Sequence, residues 1–238
     1  MMDLFFGSTN PGKLRELRRL VAGLPVRVIS PEDLGRPLPE VVEDGATFRA
    51  NAEKKAAAFA RFAGTWAVAD DSGLCVDALG GRPGVHSARW SELEPLRASA
   101  SPACALGEAG LGELGPEASR GVRDELNNDK LLEELAGLPD DRRGAAYVAV
   151  LALARSDGTI HAAVEGACRG RIGLARRGQG GFGYDPLFVP ERGSGPGELT
   201  MAELAPEEKD ALSHRGRAFR MLRPLLGQLA FDKSERQG

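Results

Sequence analysis

Disulfide-forming cysteine, basic excess and long apolar runs are all missing from this 238-residue chain, and each lack removes a class of protein. The three cysteines, Cys75, Cys104 and Cys168, are widely separated, odd in number and without metal-ligand spacing. They make neither a disulfide framework nor a zinc site, so a reducing, cytoplasmic compartment is expected. The formal net charge is −3. Chains that coat DNA or RNA carry a clear basic excess, so no nucleic-acid polymer is expected as partner. A small basic pocket for one anionic ligand stays open. No apolar run approaches the ~20 residues of a membrane-spanning helix. The opening Asp3-Leu4-Phe5-Phe6 has no basic segment ahead of a long apolar stretch, so neither a membrane anchor nor a secretory leader is expected.

What is present reads as an ordinary globular chain, 42% apolar and 27% charged. Its length suits one large domain or two small lobes, enough to bury a core and form a cleft. Leu4 to Gly7 reads as a buried strand. Asn10 and Pro11 then start a helix, Asn as cap and Pro at the first helical position; it runs to about Ala22. Val26 to Ile29 is a second strand. Phe48, Ala52, Ala56 and Phe59 recur with helical spacing and mark a long helix from about Thr47 to Phe62. Trp66 to Ala69 is the next strand, with Asp70 and Asp71 at its end, and Leu74 to Leu79 is a further extended piece.

Glu92 to Arg123 is rich in Ala, Gly, Ser, Pro and Glu and poor in periodicity, so it reads as an exposed surface insertion. Leu131, Leu132, Leu135 and Leu138 mark a helix after it. Ala145 to Ala154 and Thr159 to Ala167 flank Ser156-Asp157-Gly158, a hairpin signal, and Arg171 to Leu174 continues the sheet. A Gly-rich run, Gly178 to Gly183, leads to a short strand at Leu187 to Val189. Glu191 to Glu198 is a Gly/Pro loop. Ser213 caps a last helix that Pro224 kinks or ends. Strands alternate with helices and a hairpin follows, which predicts an α/β fold with a mixed sheet.

Four clusters carry chemistry. Ser8-Thr9-Asn10-Pro11-Gly12-Lys13 leads from a strand into a helix, where free amides, the helix dipole and a lysine favour an anion. The ordinary alternative is a capped surface helix with a solvated lysine. Ala69-Asp70-Asp71-Ser72-Gly73 offers two carboxylates that point oppositely on an extended strand. One can then face a ligand while the other holds the loop, and hard oxygens suit Mg²⁺; the alternative is a polar turn. Gly180-Gly181-Phe182-Gly183-Tyr184-Asp185-Pro186 lets backbone approach a ligand and presents an aromatic face to a base. Lys209 with Ser213-His214-Arg215 supplies hydrogen-bond donors for carbonyl oxygens. Glu43 and Asp44 add carboxylates just before the long helix.

Taken in order, five blocks strongly resemble the inosine triphosphate pyrophosphatase family. They are Ser8-x-Asn10-x-x-Lys13-x-x-Glu16, Ala69-Asp70-Asp71-Ser72-Gly73-Leu74-x-Val76-Asp77-Ala78-Leu79, and Pro83-Gly84-Val85-x-Ser87-Ala88-Arg89. Gly181-Phe182-Gly183-Tyr184-Asp185-Pro186-x-Phe188 and Lys209-x-x-x-Ser213-His214-Arg215 complete the set.

The resemblance implies one domain over residues 1–238, an elongated mixed β-sheet with flanking helices and two lobes around a deep nucleotide-binding cleft. It also implies a homodimer. It assigns Ser8, Thr9, Asn10, Pro11, Gly12 and Lys13 to the triphosphate, Asp71 to catalysis and metal, and Glu43 to the metal, Mg²⁺. Ser72 becomes a substrate contact, Phe182, Gly183, Tyr184 and Asp185 the base-binding loop, and Lys209, His214 and Arg215 the residues closing over the base. The expected substrate is a deaminated purine triphosphate: a donor-only pocket accepts the C6 oxygen of inosine or xanthosine and rejects the adenine amine. The alternatives are a pyrophosphatase for modified pyrimidine or methylated nucleotides, and a non-catalytic nucleotide-binding protein. The latter would have no use for a metal-carboxylate set.

Overall fold

The computed structural model describes residues 1–8, 10–93, 116–191 and 199–235. Thr9, Cys104, the segment 94–115 within the expected insertion and most of the expected Gly/Pro loop (192–198) lie outside them.

Six strands form one sheet: β1 (Met2–Phe6), β2 (Val26–Ile29), β3 (Trp66–Val76), β4 (Gly144–Ala154), β5 (Ile160–Ile172) and β6 (Phe188–Pro190). Their order is β2-β1-β3-β4-β5-β6. β1 pairs in parallel with β2 and β3, and β5 is antiparallel to β6, so the sheet is mixed as expected. The helices are α1 (Pro11–Leu20), α2 (Pro31–Leu34), α3 (Phe48–Ala63), α4 (Trp90–Leu93), α5 (Pro116–Glu134), α6 (Pro206–Leu212) and α7 (His214–Glu235).

The chain divides into two compact units. The first holds Met1–Ser72, Val148–Ala167 and Asp210–Gly238; the second holds Gly73–Tyr147 and Cys168–Lys209. In the first unit the sheet is covered on both faces. Val68 of β3 packs with Leu17 of α1 and with Ala218, Phe219 and Leu222 of α7. Ala67 and Ala69 pack instead with Ala52, Ala56 and Phe59 of α3. That alternation follows from the two-residue period of a strand, and the α3 stripe is the one its spacing predicts. Gly7 sits where any side chain would collide with the Phe59 ring, which lets the turn into α1 pass close over α3. In the second unit, the Tyr147 and Phe188 rings pack at 4.6 Å between centres, tilted by 50°. The buried Arg143 guanidinium is satisfied by the backbone carbonyls of Leu135, Ile172 and Gly173.

Three expectations are corrected. β3 does not end at Ala69 but runs through Asp70-Asp71-Ser72 to Val76, so the aspartates sit within a strand and not on a turn. Helix α5 starts at Pro116, inside the stretch expected to be irregular to Arg123. Pro224 does not end α7, which continues to Glu235. Among the described residues no helix is long and apolar enough to cross a membrane.

Candidate active site

The loop from β1 to α1 is built by local hydrogen bonds. The Asn10 side-chain oxygen accepts the amides of Gly12 (2.9 Å) and Lys13 (3.2 Å), and the Ser8 hydroxyl accepts the Asn10 amide at 3.2 Å. Pro11 has no amide hydrogen, and the Leu14 amide donates to the Asn10 carbonyl. The cap thus takes the first-turn amides that the sequence offered to an anion. What the helix start still provides is its dipole and Lys13.

Lys13 is turned onto β3. Its ammonium contacts the Asp70 carboxylate and lies 3.3 Å from the Ser72 hydroxyl. Arg215, at the start of α7, joins the same cluster. Its Nε lies 2.7 Å from Asp70, its Nη1 2.5 Å from Glu16 and its Nη2 3.0 Å from Ser72 Oγ. Asp70, Glu16 and Arg215 are all buried. Burial alone would raise the Asp70 carboxyl, but Arg215 and Lys13 hold it well below the usual carboxylate range. Burial and the neighbouring cations Arg215 and Lys55 lower the Lys13 ammonium, against the pull of Asp70. Ser213 sets the arrangement by accepting the Gly216 amide at 2.9 Å as the α7 cap and lying 3.3 Å from Glu16.

Asp71 points to the other face. Its carboxylate lies 2.8 Å from the Lys55 ammonium and 3.3 Å from the Asn51 amide nitrogen, both on α3. Lys55 also contacts Glu43 at 2.8 Å. Asn51 accepts the Gly45 amide at 2.8 Å and so ties the Glu43 loop to α3. Two carboxylates therefore share one ammonium. Burial, with Glu43 beside it, pushes the Asp71 carboxyl up to about 6 even though Lys55 opposes this. Glu43 is pulled down: burial would raise it, but Lys55 and a hydrogen bond with Asp71 outweigh that. Lys13 adds to the lowering of Glu43, so the charges on the two faces feel each other.

The donor set suits one metal class. Among the described residues no three His, Cys, Asp or Glu side chains gather into a cage. A pair of acidic oxygens with a surplus of negative charge fits Mg²⁺, which takes one or two carboxylates and completes its shell with phosphates and water.

In the second unit, Asp185 organises the loop read as base-binding. Its Oδ2 accepts the Phe182 amide at 2.8 Å and the Lys209 ammonium at 2.6 Å. That ammonium also lies 4.9 Å from the centre of the Phe182 ring. The Tyr184 hydroxyl donates to the Ser87 carbonyl at 2.9 Å.

The structure thus gathers Lys13, Ser72 and Arg215 in one cluster, Glu43 and Asp71 in a second, and Phe182, Asp185 and Lys209 in a third. His214 opens α7 and is buried. Sequence reading left Lys55 and Asn51 unassigned and gave Glu16 no role. Asn51 and Lys55 stand four apart on α3, hence on one face, and a buried Asn beside an alanine stripe is the signal that marks them.

The chain is similar to known proteins over most of its length. The sequence profile of the Ham1 family matches residues 4–107 and 111–225. A dITP/XTP pyrophosphatase from Anaeromyxobacter dehalogenans is 71% identical over 233 residues, covering 96% of this chain and 99% of the relative. The solved structure of a HAM1 protein from Coxiella burnetii matches with a TM-score of 0.71 at 32% identity, covering 96% of this chain and all of the other. That of a dITP/XTP pyrophosphatase from Mycobacterium abscessus matches with a TM-score of 0.62 at 43% identity, over 94% of this chain and all of the other.

Proposed function

The chain belongs to the Ham1 family, and we propose that it hydrolyses the deaminated purine triphosphates ITP, dITP and XTP to the monophosphate and pyrophosphate. The observation that carries this reading is the Glu43–Asp71 pair bridged by Lys55, with Lys13 of α1 near enough to lower Glu43.

Glu43 and Asp71 would hold Mg²⁺, which neutralises phosphate charge and lowers the pKa of a bound water. The remaining work falls to the chain. Lys13 and Lys55 supply positive charge against the triphosphate, and the α1 dipole adds to it. Asp71 is also the carboxylate that takes the proton of the attacking water. Water attacks the α-phosphorus, the bond to the bridging oxygen breaks, and pyrophosphate leaves as one unit. Little covalent help is needed when charge is neutralised and the water aligned.

For the base, we assign one face of Phe182 to stacking, since Lys209 lies against the ring. His214 and Lys209 are the donors proposed for the C6 oxygen. Arg215 is reassigned: each of its three guanidinium nitrogens already meets an oxygen of Asp70, Glu16 or Ser72. We read it as the residue that holds Asp70. A homodimer and a cytoplasmic location belong to the same proposal on family resemblance alone; light scattering checks the first.

A panel of ITP, dITP, XTP, ATP, GTP and modified pyrimidine triphosphates tests the function, with products resolved by phosphorus NMR. Pyrophosphate released from the first three in preference is the expected result. Release of inorganic phosphate, or preference for ATP, would overturn it.

A further inference from the structure

Helix α5 presents a row of polar side chains to two loops of the second unit, although nothing in the proposed chemistry uses them. Asn127 and Asn128 are buried. The Asn127 amide nitrogen lies 3.3 Å from the Ser87 carbonyl, and its oxygen accepts the Ser91 amide at 2.8 Å. The Lys130 ammonium donates to the Trp90 carbonyl at 3.1 Å. Asp124 and Asn128 act on the other loop. The Asp124 carboxylate accepts the Gly183 amide at 2.8 Å, and the Asn128 amide donates to the Gly183 carbonyl at 3.0 Å.

Asp124 and Asn128 are one helical turn apart, so they share a face of α5. They grip opposite ends of a single residue. The Gly183 amide belongs to the peptide plane that begins at Phe182, and the Gly183 carbonyl belongs to the next plane. Fixing both planes fixes the backbone rotation at Gly183, whose φ of +63° lies in the left-handed region that glycine adopts without steric cost. The other anchors are the Asp185 carboxylate on the Phe182 amide, Ser87 on the Tyr184 hydroxyl and Lys209 on Asp185, and the Asp185 amide, which at 3.3 Å from the Phe182 carbonyl meets the first of the two planes but not the second. Only the α5 pair holds both peptide planes that follow Phe182 among these contacts. The Asp124 carboxyl is partly withdrawn from water, and burial raises it despite the Gly183 amide; the nearby Asp185 and Glu125 add to the rise.

We propose that Asp124 and Asn128 are positioning residues that set the Phe182 ring for the purine by clamping the peptide groups of Gly183. This rests on reading Phe182–Asp185 as the base-binding loop. It predicts a specific signature. Loosening the clamp weakens interactions with the base and leaves the triphosphate end untouched.

The test uses the full chain with Asp124→Ala and Asp124→Asn. Asparagine keeps an acceptor oxygen for the Gly183 amide, and alanine does not. Steady-state kinetics with dITP and Mg²⁺ are expected to show KM raised roughly ten-fold in Asp124→Ala, the scale of one hydrogen bond to a charged group, with kcat close to wild type. Asp124→Asn should restore KM. Inhibition by inorganic tripolyphosphate, which has no base, should be equal in all three proteins. Amide exchange in peptides covering 178–187 should quicken in the alanine variant alone. An unchanged KM in Asp124→Ala would overturn the clamp, and so would an equal loss of tripolyphosphate inhibition, which signals general loosening. A wild-type chain that turned over none of ITP, dITP and XTP would instead overturn the functional reading on which the clamp rests.

Discussion

Asp70 and Asp71 are neighbours in the sequence and opposites in the structure. One peptide bond places them on opposite faces of β3, and each face supplies a different electrostatic setting. Asp70 meets two cations, Lys13 and Arg215, and stays firmly ionised. Asp71 shares a single lysine with a second acid and is pushed up to about 6. An acid with its charge already matched is a structural anchor. An acid left with a surplus is poised to take a metal ion or a proton. The strand period alone separates these two jobs.

The largest effect should come from breaking the Asp71 side. Asp71→Asn keeps size and burial but removes the charge, so turnover of dITP should fall on the order of a thousand-fold with no loss in Tm. Near-normal Mg²⁺-dependent turnover would remove Asp71 from its role. The Asp70 side should respond in stability instead. Asp70→Asn leaves the buried Arg215 short of a partner, and breaking such a pair costs about 3–5 kcal/mol. Urea denaturation measures this, and an unchanged midpoint would contradict the anchor. Arg215→Ala should cost stability in the same way and leave the ratio of ITP to ATP efficiency unchanged. A collapsed ratio would return Arg215 to the base.

The sequence already contained this contrast in part. Alternation on a strand is enough to send Asp70 and Asp71 apart, and the α3 stripe and the Asn10 cap were legible from spacing and residue type. The partners were not. Glu16, Lys55 and Arg215 come from three separate helices, and which carboxylate meets which cation is fixed only when those helices dock on the sheet. For the same reason the strand through Asp70-Asp71-Ser72-Gly73 was hidden: its composition is that of a turn, and sheet pairing overrides local preference. Helix α5 was hidden in its first turns because Pro116 to Arg123 carries a proline and a glycine and no apolar periodicity.

A smaller effect is expected at Lys13. Lys13→Ala should weaken the triphosphate, raising KM for dITP and the inhibition constant of tripolyphosphate together, by roughly ten-fold. A change confined to dITP would place Lys13 away from the phosphates. The smallest effect is on pH. The Asp71 carboxyl titrates higher in the folded chain than its ordinary value, so its contribution favours the folded state at low pH and is lost as pH rises through about 6. Without Mg²⁺, the Tm of Asp71→Asn should therefore gain on wild type as pH rises across that range. A gap that shrinks with rising pH would reverse the assigned shift.

The division of labour between the two aspartates is tested most directly by calorimetric titration of Mg²⁺ into the chain loaded with a dITP analogue whose α–β bridge resists hydrolysis. Wild type and Lys13→Ala, once saturated with the analogue, should both bind the metal, and Asp71→Asn should lose that binding. Equal Mg²⁺ affinity in wild type and Asp71→Asn would contradict the account.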